Sequence, residues 1–172
     1  MVSDQRQREA LPDVDLSGSA SFEDFVGAEA PRVFAALRLV AGGRAQAEDL
    51  LLDALMQVWD RWERVRQTDD APGDLFRMAM SLYQMRLSAE EPARHDLPVV
   101  ATPIAQIEAS DEMLVALDHM DPPERLSVVL MDLFGYPSKD VGDLMGIRAS
   151  RVRSLAHHGR KELRRRLSEA DG

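Results

Sequence analysis

Apolar residues recur at steps of three and four along most of this chain. Phe22, Val26, Ala30, Val33, Leu37 and Val40 mark one face of a helix. Pro31 interrupts that pattern and predicts a kink or a late helix start. Gly42-Gly43 predicts its end. A second helix is predicted over 47–65, where Leu51, Leu55, Val58, Trp62 and Val65 keep the same steps. Leu50, Leu52 and Trp59 flank that stripe, so the apolar face is broader than one core needs. Thr68 to Gly73 reads as a break, with Pro72 suited to a first helical turn. A third helix is predicted from Asp74 to Leu87 through Leu75, Met78, Ala79, Leu82 and Met85. Residues 89–107 hold Pro92, Pro98 and Pro103 and little periodicity, which predicts a linker. Helical patterns resume at Glu108. Met113, Leu114 and Leu117 share one helix, and Asp121-Pro122-Pro123 marks a stop and a new start. Leu126, Val129, Leu130 and Leu133 form the next helix, ended by Gly135 and Pro137, and two more follow at 138–145 and 149–167. No strand pattern and no repeat emerges. The expected fold is all-α: two small helical domains, 21–90 and 108–172, joined by a flexible linker at 91–107 and preceded by a flexible arm at 1–20.

Composition narrows the chemistry. The 172 residues are 45% hydrophobic with no cysteine, which excludes a disulfide scaffold, a thiolate metal site and a catalytic thiol. No apolar run approaches the roughly 18 residues that cross a bilayer. The polar first twenty residues lack the apolar stretch of a secretion signal, so the expected location is the cytoplasm, with no membrane partner. The formal net charge is -9, and its distribution is uneven. Phe22 to Glu91 holds 13 acids and 8 bases. Arg148 to Leu167 holds 8 bases and Glu162 as its one acid, a cationic stripe on an anionic molecule.

That stripe follows the ingredients of a helix-turn-helix. Val141 and Leu144 pack the first helix, and Gly142 is small where two helices cross. Gly146 tolerates the positive φ of a tight turn. Ile147 and Val152 plug the angle between the helices, and Ala149 or Ser150 opens the second one, with Ser150 a candidate cap. Arg148, Ser150, Arg151 and Ser154 then stand where base edges are reached in a major groove. Arg153, His157, Arg160, Lys161 and Arg164 stand toward phosphates. Charge alone suits a solvated basic helix against an acidic neighbour equally well. The glycine turn, the small crossing residue and the two plugs favour DNA.

With those residues in view, Asp121 to Leu167 resembles region 4 of extracytoplasmic-function (ECF) sigma factors. The resemblance runs through Asp121-Pro122-Pro123-Glu124-Arg125, Gly135, Met145-Gly146-Ile147, Val152-Arg153-Ser154, His157 and Arg160-Lys161-Glu162-Leu163. Phe22 to Trp62 is similar to region 2 of the same family through Ala47-Glu48-Asp49-Leu50, Asp53-Ala54-Leu55 and Val58-Trp59. The resemblance implies an initiation factor that binds core RNA polymerase through the first domain and duplex promoter DNA through the second. Its partner face would comprise Asp49, Leu52, Asp53, Leu55, Met56 and Trp59. An anti-sigma factor is a further partner that the family implies.

The third helix departs from the family pattern. Arg77 and Ala79 match, but Met80, Ser81 and Met85 replace an Arg, an Asn and an Asp, and Ser88 to Glu91 replace a run of arginines. Holding a displaced strand needs cations and base-stacking groups. Arg77, Tyr83 and Arg86 are what remain of the promoter-melting segment. A second class of function therefore stays open: a sigma-like regulator that does not melt promoters and acts by DNA binding or by mimicking a sigma factor toward a protein partner. Met78, Met80 and Met85 offer such a partner an adaptable apolar surface, or else fill the core. Enzyme readings find little. His157-His158 has no metal-ligand spacing, Asp140 and Asp143 suit solvated helix positions, and no phosphate loop or nucleophile elbow occurs. No catalytic residue, metal or cofactor is expected.

Overall fold

The computed structural model describes residues 16–88, 97 and 109–170, and every regular element among them is helical. The order is α1 (Leu16–Ala41), α2 (Arg44–Trp59), α3 (Trp62–Val65), α4 (Ala71–Leu87), α5 (Asp111–Asp118), α6 (Pro122–Val128), α7 (Ser138–Met145) and α8 (Ala149–Ala170). A π-helical turn, Val129–Leu133, continues α6.

Helix ends follow local chemistry. Asp70 caps α4, its side chain accepting from the Gly73 N–H at 3.0 Å, and Pro72 sits in the first turn. That cap starts α4 at Ala71, three residues before the apolar period becomes visible. Ser110 caps α5 by accepting from the Met113 N–H at 3.2 Å. Gly146 closes α7 with φ of 66°. The expected helix over 47–65 is broken in two. α2 stops at Trp59, and after Asp60-Arg61 the single turn of α3 brings Trp62 and Val65 into the core. α1 begins at Leu16, inside the segment expected to be an arm. It continues through Pro31, which is exposed, so water can satisfy the carbonyl that loses its donor. The rest of the arm, and the linker apart from Leu97, lie outside the described residues. Leu97 is buried in the core.

α1, α2 and α4 pack on one another through Val33, Leu37, Val40, Leu50, Ala54, Val58, Leu75 and Ala79. α8 packs on α5, α6 and α7. Two glycines permit close approach there. A Cβ on Gly142 would lie 2.6 Å from the Ile147 carbonyl oxygen, and one on Gly159 would lie 2.6 Å from Val128 Cγ2.

The all-α class is as expected, and its two helical groups share one core. α1 rests on α5 and α6, and α4 meets α7. Phe76 of α4 stacks on Phe134, centroids 4.6 Å apart and rings inclined by 10°. In the π-helical turn the Phe134 N–H reaches the Val129 carbonyl five residues back, at 3.2 Å. The wider turn delivers Phe134 to this stack, with Tyr136 buried just beyond.

Gly142→Ala should lower stability by about 1–3 kcal/mol, because its methyl meets backbone that cannot rotate away. Chemical denaturation reads this directly. An unchanged midpoint would show that α7 and α8 do not cross at that distance.

Candidate nucleic-acid and partner interfaces

The turn between α7 and α8 is held by its own backbone. The Ile147 N–H donates to the Gly142 carbonyl at 2.9 Å, and the Arg151 N–H donates to the Arg148 carbonyl at 2.8 Å. Val141, Leu144, Val152, Leu155 and Ala156 are buried and fix the bihelical angle. α8 opens at Ala149, so Ser150 lies within its first turn.

Most of the expected DNA-contacting side chains share the solvent face of α8. Arg148, Ser150, Arg151, Arg153, Ser154, His157, Lys161 and Arg164 are all exposed. Among the described residues, Arg148, Arg151, Arg153, Lys161 and Arg164 have no carboxylate within ion-pair distance, whereas neighbouring cations do. Arg153 donates instead to the Ser138 hydroxyl at 3.1 Å, which ties α8 to the start of α7. His157, Lys161, Arg164, Arg165 and Ser168 line a shallow recess farther along the same helix. His157 and His158 stand edge to face with centroids 5.9 Å apart. No group of residues able to hold a metal ion occurs among those described.

One member of the expected set is turned elsewhere. Arg160 is half-buried and makes two 2.7 Å hydrogen bonds to Asp132 on the π-helical turn. Those bonds raise its pKa and hold the guanidinium against its own domain. The far end of α8 is also neutralised in part. Arg165 pairs with Glu162 and Glu169, and Arg166 pairs with Glu162. The Arg165 hydrogen bonds dominate the environment of Glu162 and push its pKa down to about 2. The exposed cations without an acidic partner among the described residues therefore run along one face, from Arg148 just before α8 through Arg151 and Arg153 to Lys161 and Arg164.

The second expected surface lies on α2. Leu52, Met56 and Trp59 are 60%, 68% and 48% exposed, and their spacing puts them on one face. Asp49 and Asp53 are exposed beside them, and Leu55 is half-buried. Trp59 is braced from below by Phe22, with ring centroids 5.0 Å apart, and Phe22 in turn meets Trp62 at 5.2 Å. An apolar patch held rigid on its underside meets a partner at little entropic cost.

The residual promoter-melting residues are already engaged. Arg77 bonds to Asp70 and Asp74. Burial opposes its charge, but the two carboxylates outweigh that and its pKa is raised. Arg86 pairs with Asp53, so it links α4 to the flank of the α2 patch. Tyr83 is buried, and its hydroxyl accepts from Arg125 at 2.8 Å. Of the three methionines on α4, Met80 is buried, Met78 is half-buried and Met85 is 50% exposed, so they form no continuous surface.

Comparison with known proteins bears on this arrangement. The sigma-70 region 4 family model matches residues 110–163, which contain α5–α7 and most of α8. RNA polymerase sigma factor CarQ of Myxococcus xanthus is 30% identical over 165 residues, covering 88% of this chain and 91% of CarQ. The chain belongs to the ECF sigma factor family. ECF RNA polymerase sigma factor SigE of Mycolicibacterium smegmatis is 27% identical over 168 residues, covering 90% of this chain and 65% of SigE. The chain thus spans just under two thirds of that relative's length. The sigma factor RpoE, solved in complex with the anti-sigma factor NepR from Bartonella quintana, has the same fold at 20% identity, with a TM-score of 0.55 over 86% of this chain and 97% of RpoE. No helix among the described residues of this sigma factor is long and apolar enough to cross a membrane.

Sequence reasoning missed the central polar contact of this sigma factor. Arg125 was legible only as part of a family motif, yet it is 3% exposed and bonds across the molecule. Its one prior signal is an arginine inside an otherwise apolar helical stripe.

Glu162 supplies a pH prediction. Its pKa is depressed in the folded state, so its contribution to α8 is complete above the ordinary carboxylate value of 4.5 and is lost as pH falls toward 2. Carboxyl chemical shifts should show Glu162 titrating well below the ordinary carboxylate range. A midpoint near 4.5 would mean that the Arg165 bonds do not persist in solution.

Proposed function

We propose that this chain brings core RNA polymerase to duplex promoter DNA, with α2 as the polymerase-facing surface and the N-terminal half of α8 as the DNA-reading element. It acts without catalysis of its own, in the cytoplasm. The observation that carries this reading is the row of exposed α8 cations without ion-pair partners, directly beyond a turn built to set one helix across another. The rigid apolar patch on α2 lies within an anionic half that phosphate would repel, which supports a protein partner there. Arg148, Ser150, Arg151 and Ser154 are the candidates for base edges. Arg153, His157, Lys161 and Arg164 are the candidates for phosphates, with Arg160 as a support for the helix.

A second reading has one specific observation in its favour. The α4 residues left for strand opening are paired with acids or buried. On that reading the chain binds DNA or a protein regulator without starting transcripts. The partner of RpoE in its solved complex, an anti-sigma factor, indicates the class of regulator. Run-off transcription with core polymerase on a duplex promoter separates the two. A transcript supports initiation, and binding without transcript supports the regulator.

Arg151→Ala with Arg153→Ala should weaken binding to promoter duplex and flatten its salt dependence, by about 0.9 in the log–log slope for each phosphate left without its cation. An unaltered slope would remove the α8 assignment. Met56→Glu with Trp59→Gln should reduce core polymerase binding at least tenfold while the helical circular dichroism is kept. Retained binding would place the docking surface elsewhere.

A further inference from the structure

α4 turns a single stripe toward the second half of the chain. Phe76 stacks on Phe134, Tyr83 accepts from Arg125, and the Gln84 amide donates to the Met145 carbonyl at 3.4 Å. These positions lie on one helical face, and buried Met80 lies between them. At the other edge of the interface, Arg38 of α1 pairs with Asp118 of α5 at 3.2 Å.

Arg125 is the centre of this interface. Its Nε donates to the Val40 carbonyl at 2.8 Å, its Nη1 to the Leu117 and Met120 carbonyls at 3.2 Å each, and its Nη2 to the Tyr83 hydroxyl. Val40 lies in the last turn of α1, and Leu117 and Met120 flank the end of α5. The guanidinium therefore fills the meeting point of two helix C-termini, one from each half, where the backbone dipoles favour a cation. Gly42 leaves the room it needs, because a Cβ there would come within 2.6 Å of its Cζ. Among the described residues none of its hydrogen bonds goes to a carboxylate, and carbonyl and phenol dipoles replace the water it gave up.

We propose that Arg125 is an intramolecular latch that holds the two halves together in the isolated chain and keeps the α4 face out of reach of nucleic acid. With no carboxylate partner among the described residues, this buried cation adds only modestly to the closed state, because desolvation offsets much of what its hydrogen bonds contribute. The shared apolar core supplies the rest, and a partner opens the latch only by binding the open form better than the closed one. The α2 patch and the α8 cations remain exposed while it is shut. Polymerase docking and duplex binding can thus precede opening, and opening then presents Phe76, Tyr83 and Gln84 together. A closed population of about ten to one would mask the α4 face about tenfold. This functional consequence rests on the initiation reading, whereas the latch itself does not.

The chain has no cysteine, so Ala45→Cys with Ser168→Cys accepts a donor and an acceptor dye without background. The labelled full-length chain alone should give one narrow distribution of transfer efficiency. Arg125→Gln should broaden and shift it. Because Arg125→Gln removes bonds within its own half as well, Tyr83→Phe with Asp118→Ala is the second variant, which deletes two cross-links and keeps the ring at position 83. A shift with unchanged helical circular dichroism supports the latch. A broad distribution in the parent chain, or no shift in the second variant, overturns it. Run-off transcription then tests the consequence. Several-fold more transcript from the second variant than from the parent supports inhibition by the latch, and equal transcript overturns that role. No transcript from either defeats the initiation reading, with the latch judged by transfer alone.

Discussion

One buried guanidinium decides how this molecule is put together. Removing a cation from water costs several kcal/mol unless the interior supplies equivalent dipoles. For Arg125 those dipoles come from the end of α1, the end of α5 and a phenol on α4. No single half of the chain contains all of them. Burying this one charge is therefore possible only where elements more than eighty residues apart meet, and the apolar area of the Phe76–Phe134 stack lies in the same interface. The positive φ of Gly42 ends α1 and also spares the space the guanidinium occupies.

The two outward faces follow from different physics. The α8 cations need water on one side and a defined angle on the other, so their support is a buried row of small and branched residues and the bidentate Arg160–Asp132 pair. The α2 patch needs stiffness, and it rests on the Phe22–Trp59 and Phe22–Trp62 ring contacts. Acids crowd one half and bases crowd one helix of the other, so the two faces differ in the charge around them. The interface between the halves is mostly apolar in comparison, with Arg125 and the Arg38–Asp118 pair as its charged groups.

Much of this was written in local pattern. The three- and four-residue steps located the helices, Gly146 and Gly142 declared the turn and the close crossing, and the ordered motifs around 121–163 and 47–59 indicated the family. Leu50, Leu52 and Trp59 stood out as surplus to a single core; Leu52 and Trp59 are exposed, whereas Leu50 is fully buried. The errors have local causes. A period of about 3.6 continues across Asp60-Arg61, so the break between α2 and α3 leaves no trace in spacing. A π-helical turn inserts one residue where an apolar run still reads as an ordinary helix.

Partnership between distant residues was beyond any reading of spacing. Arg160 looked like its cationic neighbours until Asp132 stood opposite it, and Arg77, Arg86 and Tyr83 looked available until Asp70, Asp53 and Arg125 engaged them. Hydrophobic periodicity depends on neighbours three or four residues away, and the chain carries that information along its length. Whether a polar side chain faces water, an acid or a distant carbonyl depends on how the two halves meet. That choice belongs to the packed molecule, because only there is the desolvation of Arg125 compensated.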